Sequence, residues 1–478
     1  MSFTSLEFPL FVGLCVGLLH VGGKLSVRTW LLIIFSYVFS LSFGLGSALA
    51  ISLVALADFV VGGKVVSAES DGTRRRWLWL GLAFNLAPLT FFKYSAFVAG
   101  IVATLLHPLG IRVPVPGNPV FPIVGLSYFT FAGMSYVLDV YYGKIEPSQS
   151  ASEYLCYLIY FPKLIAGPIV RAADFLPQFS RSFRVTPKDV EIGCAYFLVG
   201  AVKKLLIANQ LAGHVGMIMD APQHYTAFTL VQGLLGYTVQ IYADFSGYSD
   251  IAIGCARLMG IRFPQNFLMP YSSVNIAEFW RRWHVTMSNW FRDYVFLPLE
   301  VSSRGMRNGN LRASRNVIIT MLLCGLWHGA SWNFLVWGGL HGVALAVYQV
   351  YASFRGRQLR RQTRSAFHPG MLAARALTLA VVMLGYLFFG TQTLSLASTY
   401  LWRMLTWSRE GVALGSPYIL PLTAVVVIAH LFINKDRNVI EELANYSVPT
   451  RALAYATLLL ALTSLVASEA VPFVYVRF

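Results

Sequence analysis

The hydrophobic pattern of the chain consists of long apolar stretches separated by short polar segments. A helix needs about 20 apolar residues to cross a bilayer, and by length and lack of charge the stretches predict roughly 11 to 13 membrane segments. The stretch at 8–19 has no positive region and no small-residue cleavage site, which predicts an uncleaved first helix. The stretches lie near residues 8–19, 30–43, 47–61, 77–106, 121–142, 154–169, 190–219, 229–259, 316–350, 371–389, 418–433 and 453–467.

The composition agrees with this pattern. Hydrophobic residues make up 56% of the 478 residues, charged residues make up 12%, and the mean hydropathy is +0.60. A soluble globular domain carries roughly twice that fraction of charge. We therefore predict an all-α polytopic membrane protein with a single embedded domain over residues 1–478.

The net charge and the cysteines narrow the choice of partners. A net charge of +16 indicates cytoplasmic loops and attraction to anionic headgroups, so membrane lipid is the predicted partner and nucleic acid is not. One such loop is predicted at Lys64 and residues 74–76. The five cysteines form no CxxC pair, and His214, Asp220 and His224 lack a metal-binding spacing. Neither a disulfide framework nor a metal site is predicted.

One apolar run carries a histidine. Residues 316–350 contain no Asp, Glu, Lys or Arg, and His328 lies in this run. An ionisable residue at membrane depth is a candidate functional residue by default. Because the run exceeds the length of one crossing and arginines flank both ends, it is predicted to enter and return, as two short passes or as a re-entrant hairpin. Gly338 and Gly339 are the predicted place of the reversal, since glycine tolerates turn angles and close helix approach.

The arginines that flank this run allow two interpretations. No acidic residue occurs in 301–409. The arginines can set topology and contact lipid, or some of them can hold the phosphates of an anionic acyl donor, since guanidinium groups suit phosphate. They are Arg304, Arg307, Arg312 and Arg315 before the run, and Arg355, Arg357, Arg360, Arg361 and Arg364 after it.

A second histidine lies in the aromatic-rich segment 275–299. On one continuous helix, Phe279, Trp283, Thr286, Trp290 and Tyr294 share a face, while Arg281, His284, Ser288 and Arg292 occupy the opposite face. This arrangement predicts a helix at the membrane interface, where tryptophans lie at headgroup level and arginines extend to water. A position at the membrane interface fully explains why tryptophans and arginines occur in this segment, but it explains the presence of His284 less well.

The two histidines suit proton abstraction from a hydroxyl. A buried neutral imidazole at His328 can take the proton as the hydroxyl attacks an activated acyl carbon, and His284 can orient the reactants or stabilise the developing charge. Either histidine can equally be a packing residue. Cys324 precedes His328 by one helical turn, which makes a cysteine nucleophile geometrically possible. His341 would point away from His328 on an unbroken helix, and a break at the glycines would bring it back.

Two further groups of polar residues occur within apolar stretches. Asp244, Ser246, Tyr248 and Asp250 can line an acceptor path or connect helices. In the other group, glycine and proline interrupt the helical hydrogen bonds, and the backbone N–H and C=O groups left over must find partners inside the protein. This predicts a broken helix or re-entrant loop in preference to ligand contact. Its members are Lys163, Gly167, Pro168 and Arg171.

Six strings of the sequence are long enough to compare with known families. They resemble the signature blocks of the membrane-bound O-acyltransferase family, most closely its bacterial branch that contains the alginate O-acetyltransferase. Together they cover most of residues 85–345. The strings are NLAPLTFFKYSAF (85–97), PIVGLSYFTFAGMSYVLDVYYG (122–143), YFPKLIAGPIVRAADFLPQF (160–179), QIYADFSGYSDIAIGCARLMGIRFPQNFLMPY (240–271), IAEFWRRWHVTMSNWFRDYVFLPL (276–299) and CGLWHGASWNFLVWGGLHG (324–342).

The resemblance implies a multi-helix bundle with re-entrant pieces around a catalytic tunnel. It places His328 at the family's catalytic histidine, and His284 where the family carries a second polar residue. It implies that an acyl group, acetyl in the first place, moves from a cytoplasmic thioester such as acetyl-CoA toward O-acetylation of an exported polysaccharide such as alginate. It also implies a bacterial inner-membrane location, periplasmic or envelope-anchored acetyltransferase partners, and polysaccharide export machinery.

The sequence departs from the branch at two places, and two other functions stay open. Residues 300–304 replace a Gly-Gly-Asn-Arg turn, and Gly390 stands where relatives commonly have arginine. Within the same fold, the acyl group could be D-alanyl or another group from a carrier protein, which the tunnel width near Cys324 and Trp332 would distinguish. A proton-coupled transporter or flippase would use His328 and Asp250 as relay groups, and it predicts internal repeats, which the sequence does not show.

Overall fold

The computed structural model describes residues 5, 7–21, 24–116, 123–180, 185–303, 309–355, 368–433 and 438–465. Within these ranges the regular elements are helices, apart from one isolated bridge between Tyr225 and Val412. The all-α prediction is therefore confirmed. The described chain divides into two compact units, Met1–Phe197 with Ile251–Pro264 and Leu198–Asp250 with Gln265–Phe478. The prediction of a single domain stays a prediction.

The first unit contains ten α-helices and the beginning of an eleventh among its described residues. Two of its longer helices begin at serine caps, since Ser70 Oγ accepts from Thr73 N and Ser150 Oγ accepts from Glu153 N. The helices are α1 Glu7–Val21, α2 Leu25–Leu41, α3 Leu45–Val66, α4 Asp71–Leu89, α5 Ser95–Leu106, α6 Leu126–Tyr141, α7 Ala151–Ile159, α8 Phe161–Leu164, α9 Ala172–Phe175, α10 Pro177–Ser180 and α11 Pro187–Val202.

The second unit holds the remaining α-helices, of which α13 ends in the first unit. They are α12 Asn209–Asp220, α13 Ala227–Leu258, α14 Ile276–Trp280, α15 Val285–Phe291, α16 Leu297–Ser302, α17 Gly309–His328, α18 Trp332–Arg355, α19 Pro369–Gly390, α20 Leu394–Leu405, α21 Ile419–Phe432, α22 Val439–Leu443 and α23 Val448–Leu465. Three π-helical turns and three 3₁₀ turns complete the described elements, at Thr90–Tyr94, Lys203–Ala208, Arg292–Phe296, His107–Leu109, Pro222–His224 and Pro270–Ser272.

Four described helices are long and apolar enough to cross a membrane. They span Leu45–Val66, Asp71–Leu109, Trp332–Arg355 and Pro369–Gly390, and four shorter apolar helices accompany them. These helices support a polytopic membrane protein, and the count of 11 to 13 segments stays a prediction. The predicted loop between α3 and α4 is shorter than expected, because Lys64 lies in the last turn of α3 and residues 74–76 lie in α4. Its cytoplasmic side stays a prediction.

A buried irregular segment interrupts the first unit at residues 160–171. Helix α7 ends at Ile159, α8 is a single turn, and no helix resumes until α9. Gly167 is required here, because a Cβ at this position would lie 2.6 Å from the Lys163 Cα atom. The predicted broken helix is confirmed.

The histidine-bearing run forms a helical hairpin in the second unit. Helix α17 ends at His328, residues 329–331 turn, and α18 returns beside it. The predicted return is confirmed, but its place is wrong, since Gly338 and Gly339 lie inside α18. Gly338 instead permits close packing, because a Cβ there would collide with the Met321 carbonyl oxygen. The turn at 329–331 places His328 at the end of its helix.

The segment 275–299 is not one helix. It contains α14, a break at residues 281–284, α15, a π-helical turn and α16. At the break, Leu268 N donates to the Arg282 carbonyl and Val285 N donates to the Asn266 carbonyl, at 3.0 and 2.9 Å. These bonds compete with the continuous helical ladder, so the two predicted faces of this segment do not form.

Candidate active site

The backbone of His284 is the least ordinary feature of the site. Its φ and ψ angles are 42° and 55°, in the left-handed region that non-glycine residues rarely adopt. Asn266 holds this conformation in place, because its carbonyl accepts from Val285 N and its Oδ1 accepts from Thr286 N and Oγ1. Ser249 is in turn 3.1 Å from Asn266 Nδ2. Strained backbone that its surroundings impose in this way clusters at functional sites.

The His284 side chain is enclosed by aromatic rings. It is fully buried, and its ring centroid lies 4.6 Å from that of Phe245 and 6.1 Å from that of Trp327. Neither ring nitrogen has a hydrogen-bond partner among the described residues. A buried polar group without such a partner calls for an explanation, and binding to a substrate is one.

His328 is also close to Trp327. Their ring centroids are 4.9 Å apart, and the same distance separates His328 from Trp337, while Phe389 is 5.2 Å away. His328 is buried, with 4% of its surface exposed. The structure therefore brings both predicted histidines close to one tryptophan ring in the second unit.

The secondary candidates lie around the same rings. His341 is buried, and its ring centroid is 4.9 Å from Trp337 and 5.2 Å from Trp280. The helix break at 329–331, and not at the glycines, brings it there. Cys324 Sγ lies 4.0 Å from His328 Nε2 and 4.0 Å from Met287 Sδ. We call His284, His328 and His341 with Trp280, Trp327 and Trp337 the histidine cluster.

Sequence reasoning missed the residues that shape this cluster. Asn266 occurs in a string of mixed residues, and nothing in its local pattern shows that it binds the backbone at 285–286. Trp337 precedes His341 by four residues, which is the spacing of one helical turn and could have indicated their contact. Phe245 and Phe389 come from remote helices, so no local signal identifies them.

A second set of polar residues in this unit forms two ion pairs. Lys203 Nζ lies 2.6 Å from Asp250 Oδ2, and Lys204 Nζ lies 2.6 Å from Asp244 Oδ1. Both lysines begin the π-helical turn Lys203–Ala208, and both aspartates lie on α13. We call these four residues the ion-pair cluster. The pairing favours the interpretation that Asp244 and Asp250 connect helices over the interpretation that they line a path or relay protons.

Three of the flanking arginines are described. Arg312 Nε lies 3.2 Å from Glu300 Oε2, Arg315 donates to Asn316 Oδ1, and Arg355 lies over the Tyr351 ring. These contacts suit the ends of membrane helices, and the phosphate-binding interpretation stays a prediction. Outside the described residues lie Arg304, Arg307, Arg357, Arg360, Arg361 and Arg364.

The two departures from the family pattern have local partners. Glu300 Oε1 accepts from Asn316 Nδ2 at 2.7 Å, and with Arg312 on its other oxygen it connects α16 to α17. A Cβ at Gly390 would lie 2.8 Å from the Tyr237 ring. The position therefore has no room for a larger side chain unless Tyr237 shifts.

The described residues contain no group of three His, Cys, Asp or Glu side chains that could hold a metal ion. The predicted absence of a metal stays a prediction, as does the identity of the donor-binding residues. His214 and Asp220 lie in α12, and His224 lies in the 3₁₀ turn Pro222–His224.

Comparisons with known proteins agree with this geometry. The membrane-bound O-acyltransferase family model matches residues 123–398, which include the whole histidine cluster. A probable alginate O-acetylase AlgI of Pseudomonas putida is 35% identical over 406 residues, covering 83% of this chain and 79% of the relative.

Two other relatives have different names. A peptidoglycan O-acetyltransferase of Helicobacter pylori is 31% identical over 389 residues, covering 75% of this chain and 69% of the relative. A teichoic acid D-alanyltransferase of Bacillus subtilis is 27% identical over 273 residues, covering 55% of this chain and 69% of the relative. The chain belongs to the membrane-bound O-acyltransferase family and is a multi-pass membrane acyltransferase.

Proposed function

We propose that the protein moves an acetyl group from a cytoplasmic acyl thioester toward the O-acetylation of an exported polysaccharide such as alginate. His328 acts as the general base and His284 assists. The observation that carries the proposal is the closeness of two buried histidines to the same Trp327 ring, one of them held in a strained backbone conformation.

The transfer needs a single proton acceptor. The hydroxyl oxygen of the acceptor attacks the thioester carbonyl carbon, and its proton passes to the His328 imidazole. The new C–O bond forms a tetrahedral oxyanion, the C–S bond then breaks, and the leaving thiolate takes the proton from His328. A well-placed general base contributes about 10² to 10⁴-fold to such a step.

The position of His284 suits stabilisation of the oxyanion. A neutral imidazole has one N–H donor, and neither ring nitrogen of His284 donates to a described protein group. Its fixed backbone pre-organises the ring, which is how donors aimed at developing charge act without reorganisation. The surrounding aromatic rings exclude water and strengthen the electrostatic interaction.

The donor and partners follow from the same proposal. Acetyl-CoA or another acyl thioester is the co-substrate, and no metal takes part. The protein lies in the bacterial inner membrane, and periplasmic or envelope-anchored acetyltransferase partners complete the transfer beside the polysaccharide export machinery. The similarity to probable alginate O-acetylases supports a polysaccharide as the final acceptor.

The test is the O-acetyl content of exported polysaccharide in a deletion strain that receives each variant at matched membrane levels. We expect the wild type to restore acetylation and His328→Ala to abolish it, with His284→Ala strongly reduced. His107→Ala, which removes an exposed histidine of the first unit, is the matched control and retains acetylation.

Other results would redirect the proposal. Full acetylation by His328→Ala refutes the general-base role. If the wild type adds D-alanyl in place of acetyl, the D-alanyl alternative is correct. Loss of acetylation in Cys324→Ala, with His328 intact, would instead indicate a covalent acyl-cysteine intermediate.

A further inference from the structure

A buried hydrogen bond in the second unit has no part in the proposed transfer. Asn333 lies in the first turn of α18, with 3% of its surface exposed, and Thr391 directly follows α19, with 2% exposed. The Asn333 Nδ2 atom donates to the Thr391 carbonyl oxygen at 2.7 Å and also lies 3.3 Å from the Thr391 hydroxyl oxygen. A side chain of one helix thus binds the backbone at the end of another.

This bond connects two segments that carry rings next to His328. Phe334 directly follows Asn333, Phe389 precedes Thr391 by two residues, and the centroids of the two phenyl rings are 5.0 Å apart. The His328 ring lies 5.2 Å from that of Phe389, at an interplanar angle of 75°, and 6.4 Å from that of Phe334, at 28°. The imidazole therefore has a neighbouring ring from each of the two segments that the bond joins.

His328 and Phe389 both lie where a helix ends. His328 is the last residue of α17, and Phe389 is the next to last of α19. The last four carbonyl groups of a helix have no partner within it, so a helix end frays unless other groups bind it. Thr391 donates from N and Oγ1 to the Leu387 carbonyl oxygen, at 3.2 and 2.8 Å. The Thr391 carbonyl in turn accepts from Asn333, which ties the end of α19 to the start of α18.

We propose that Asn333 is a positioning residue for the acyl transfer, because its bond to Thr391 keeps Phe389 against the His328 imidazole and limits the orientations of that ring. This inference rests on the proposed role of His328 as the general base. A base acts only when its nitrogen is within hydrogen-bond reach of the acceptor hydroxyl. A misplacement of about 1 Å can lower the rate about 10²-fold. In this role Asn333 needs no contact with either reactant.

The test measures incorporation of labelled acetyl from acetyl-CoA by inverted membrane vesicles of a deletion strain that receives each variant. Rates are divided by the amount of folded protein, measured by size-exclusion chromatography of detergent extracts, so that lower stability alone leaves kcat unchanged. Asn333→Leu keeps a side chain of similar size and removes its donor. We expect kcat to fall about 10- to 10²-fold. The KM for acetyl-CoA should change less than about twofold, because misplacing the base does not weaken donor binding.

A double variant shows whether the effect passes through the Phe389 ring. Phe389→Leu should lower kcat by itself, and Asn333→Leu added to it should lower kcat by less than about twofold more, because both changes act on the same contact. If Asn333→Leu does not fold, Asn333→Ala, which favours the helix, takes its place.

Two variants serve as controls. Asn310→Ala removes a hydrogen bond between the same two helices, from Asn310 Nδ2 to Ser353 Oγ at 3.3 Å, at the far end of the hairpin. Thr391→Ser keeps both the carbonyl and the hydroxyl group that Asn333 contacts. Both variants should have the kcat of the wild type.

Three outcomes overturn the proposal. They are a wild-type kcat per folded protein in Asn333→Leu or Asn333→Ala, which would leave Asn333 with a structural role, a change confined to KM, and losses of kcat that multiply in the double variant. Acetyl transfer by His328→Ala at the wild-type rate would refute the general-base role and this inference with it. That result is distinguishable, because a failure of the Asn333 inference alone leaves His328→Ala inactive.

Discussion

The ion-pair cluster and the histidine cluster lie in the same unit and, apart from the half-buried Lys203, consist of buried residues, but their polar atoms are satisfied differently. In the ion-pair cluster, each lysine contacts an aspartate at 2.6 Å. In the histidine cluster, the ring nitrogens of His284 and His341 have no hydrogen-bond partner among the described residues. The polar atoms of the ion-pair cluster connect helices, whereas the histidine cluster leaves ring nitrogens available to bind a substrate.

Whether a buried polar atom has a partner distinguishes structural residues from candidate functional residues better than residue type does. Both clusters contain ionisable residues in apolar stretches, and each such residue is a functional candidate by that criterion alone. A paired charge is expensive to disrupt and adds little chemistry. An available imidazole in a water-excluded site can bind or move a proton.

The largest effect is expected from breaking an ion pair. Asp244→Asn leaves the Lys204 ammonium buried without its counter-charge, so the free energy of unfolding should fall by about 3 to 5 kcal/mol. Asp220→Asn, at an exposed position, should change it by less than about 0.5 kcal/mol. Unfolding in denaturant at fixed detergent concentration measures both. A stable Asp244→Asn variant that lost acyl transfer would place Asp244 in the acceptor path.

The second prediction distinguishes the contribution of the His284 ring from that of the His284 backbone. Glycine adopts the left-handed conformation without strain, so His284→Gly removes the ring without straining the backbone, although the cavity that it leaves should lower the free energy of unfolding by about 2 to 5 kcal/mol. The rate of acetyl incorporation per folded protein should fall about 10² to 10³-fold, as when one oxyanion donor is removed. Asparagine also tolerates this conformation and offers an amide donor, so His284→Asn should keep more activity. Labelled acetyl incorporation by membrane vesicles measures the rate. Wild-type activity in His284→Gly would reduce the role of this residue to its backbone.

A third effect tests the packing that positions the histidine cluster. Gly338→Ala places a methyl group against the Met321 carbonyl oxygen, and overpacking of this kind costs about 1 to 3 kcal/mol. Gly339→Ala is the adjacent control, because its Cβ would be 3.7 Å from Leu322 Cδ2, an ordinary contact. Thermal unfolding compares the two variants. Equal midpoints would show that the hairpin adjusts without cost.

The smallest effect is expected at Asp189, which forms ion pairs with Arg257 and Arg262 outside the membrane-spanning segments. Burial raises the pKa of Asp189, but hydrogen bonds from Thr186 and the charges of Arg257 and Arg262 outweigh it and hold the pKa below its ordinary value. A lowered folded-state pKa contributes stability above the unfolded pKa of about 3.9, and this contribution is lost as the pH falls through the folded value.

The stability of Asp189→Asn should therefore be lower than that of the wild type at pH 6, and the difference should shrink below about pH 4. Thermal unfolding from pH 6 to pH 3 measures it. The difference should also be smaller than for Asp244→Asn, because the exposed Arg262 is screened by water. A difference that does not change with pH would contradict the charge argument.

Part of this architecture could be predicted from local patterns. The uncharged run at 316–350 between arginines predicted a membrane return, because its length exceeds one crossing. The glycine and proline of 160–171 predicted a broken helix, because proline lacks a donor and glycine permits close backbone approach. His328 was predicted as a candidate from its place in the apolar run, and His284 from its segment.

The sequence by itself determined the membrane class, the family and both candidate histidines, because apolar length, charge placement and long signature strings are local properties of the chain. Tertiary structure alone decided that segment 275–299 breaks at His284, since the competing hydrogen bonds come from Asn266. It also decided which buried charges are paired. Hydrogen bonds and ion pairs are satisfied through space, between residues whose separation along the chain carries no pattern.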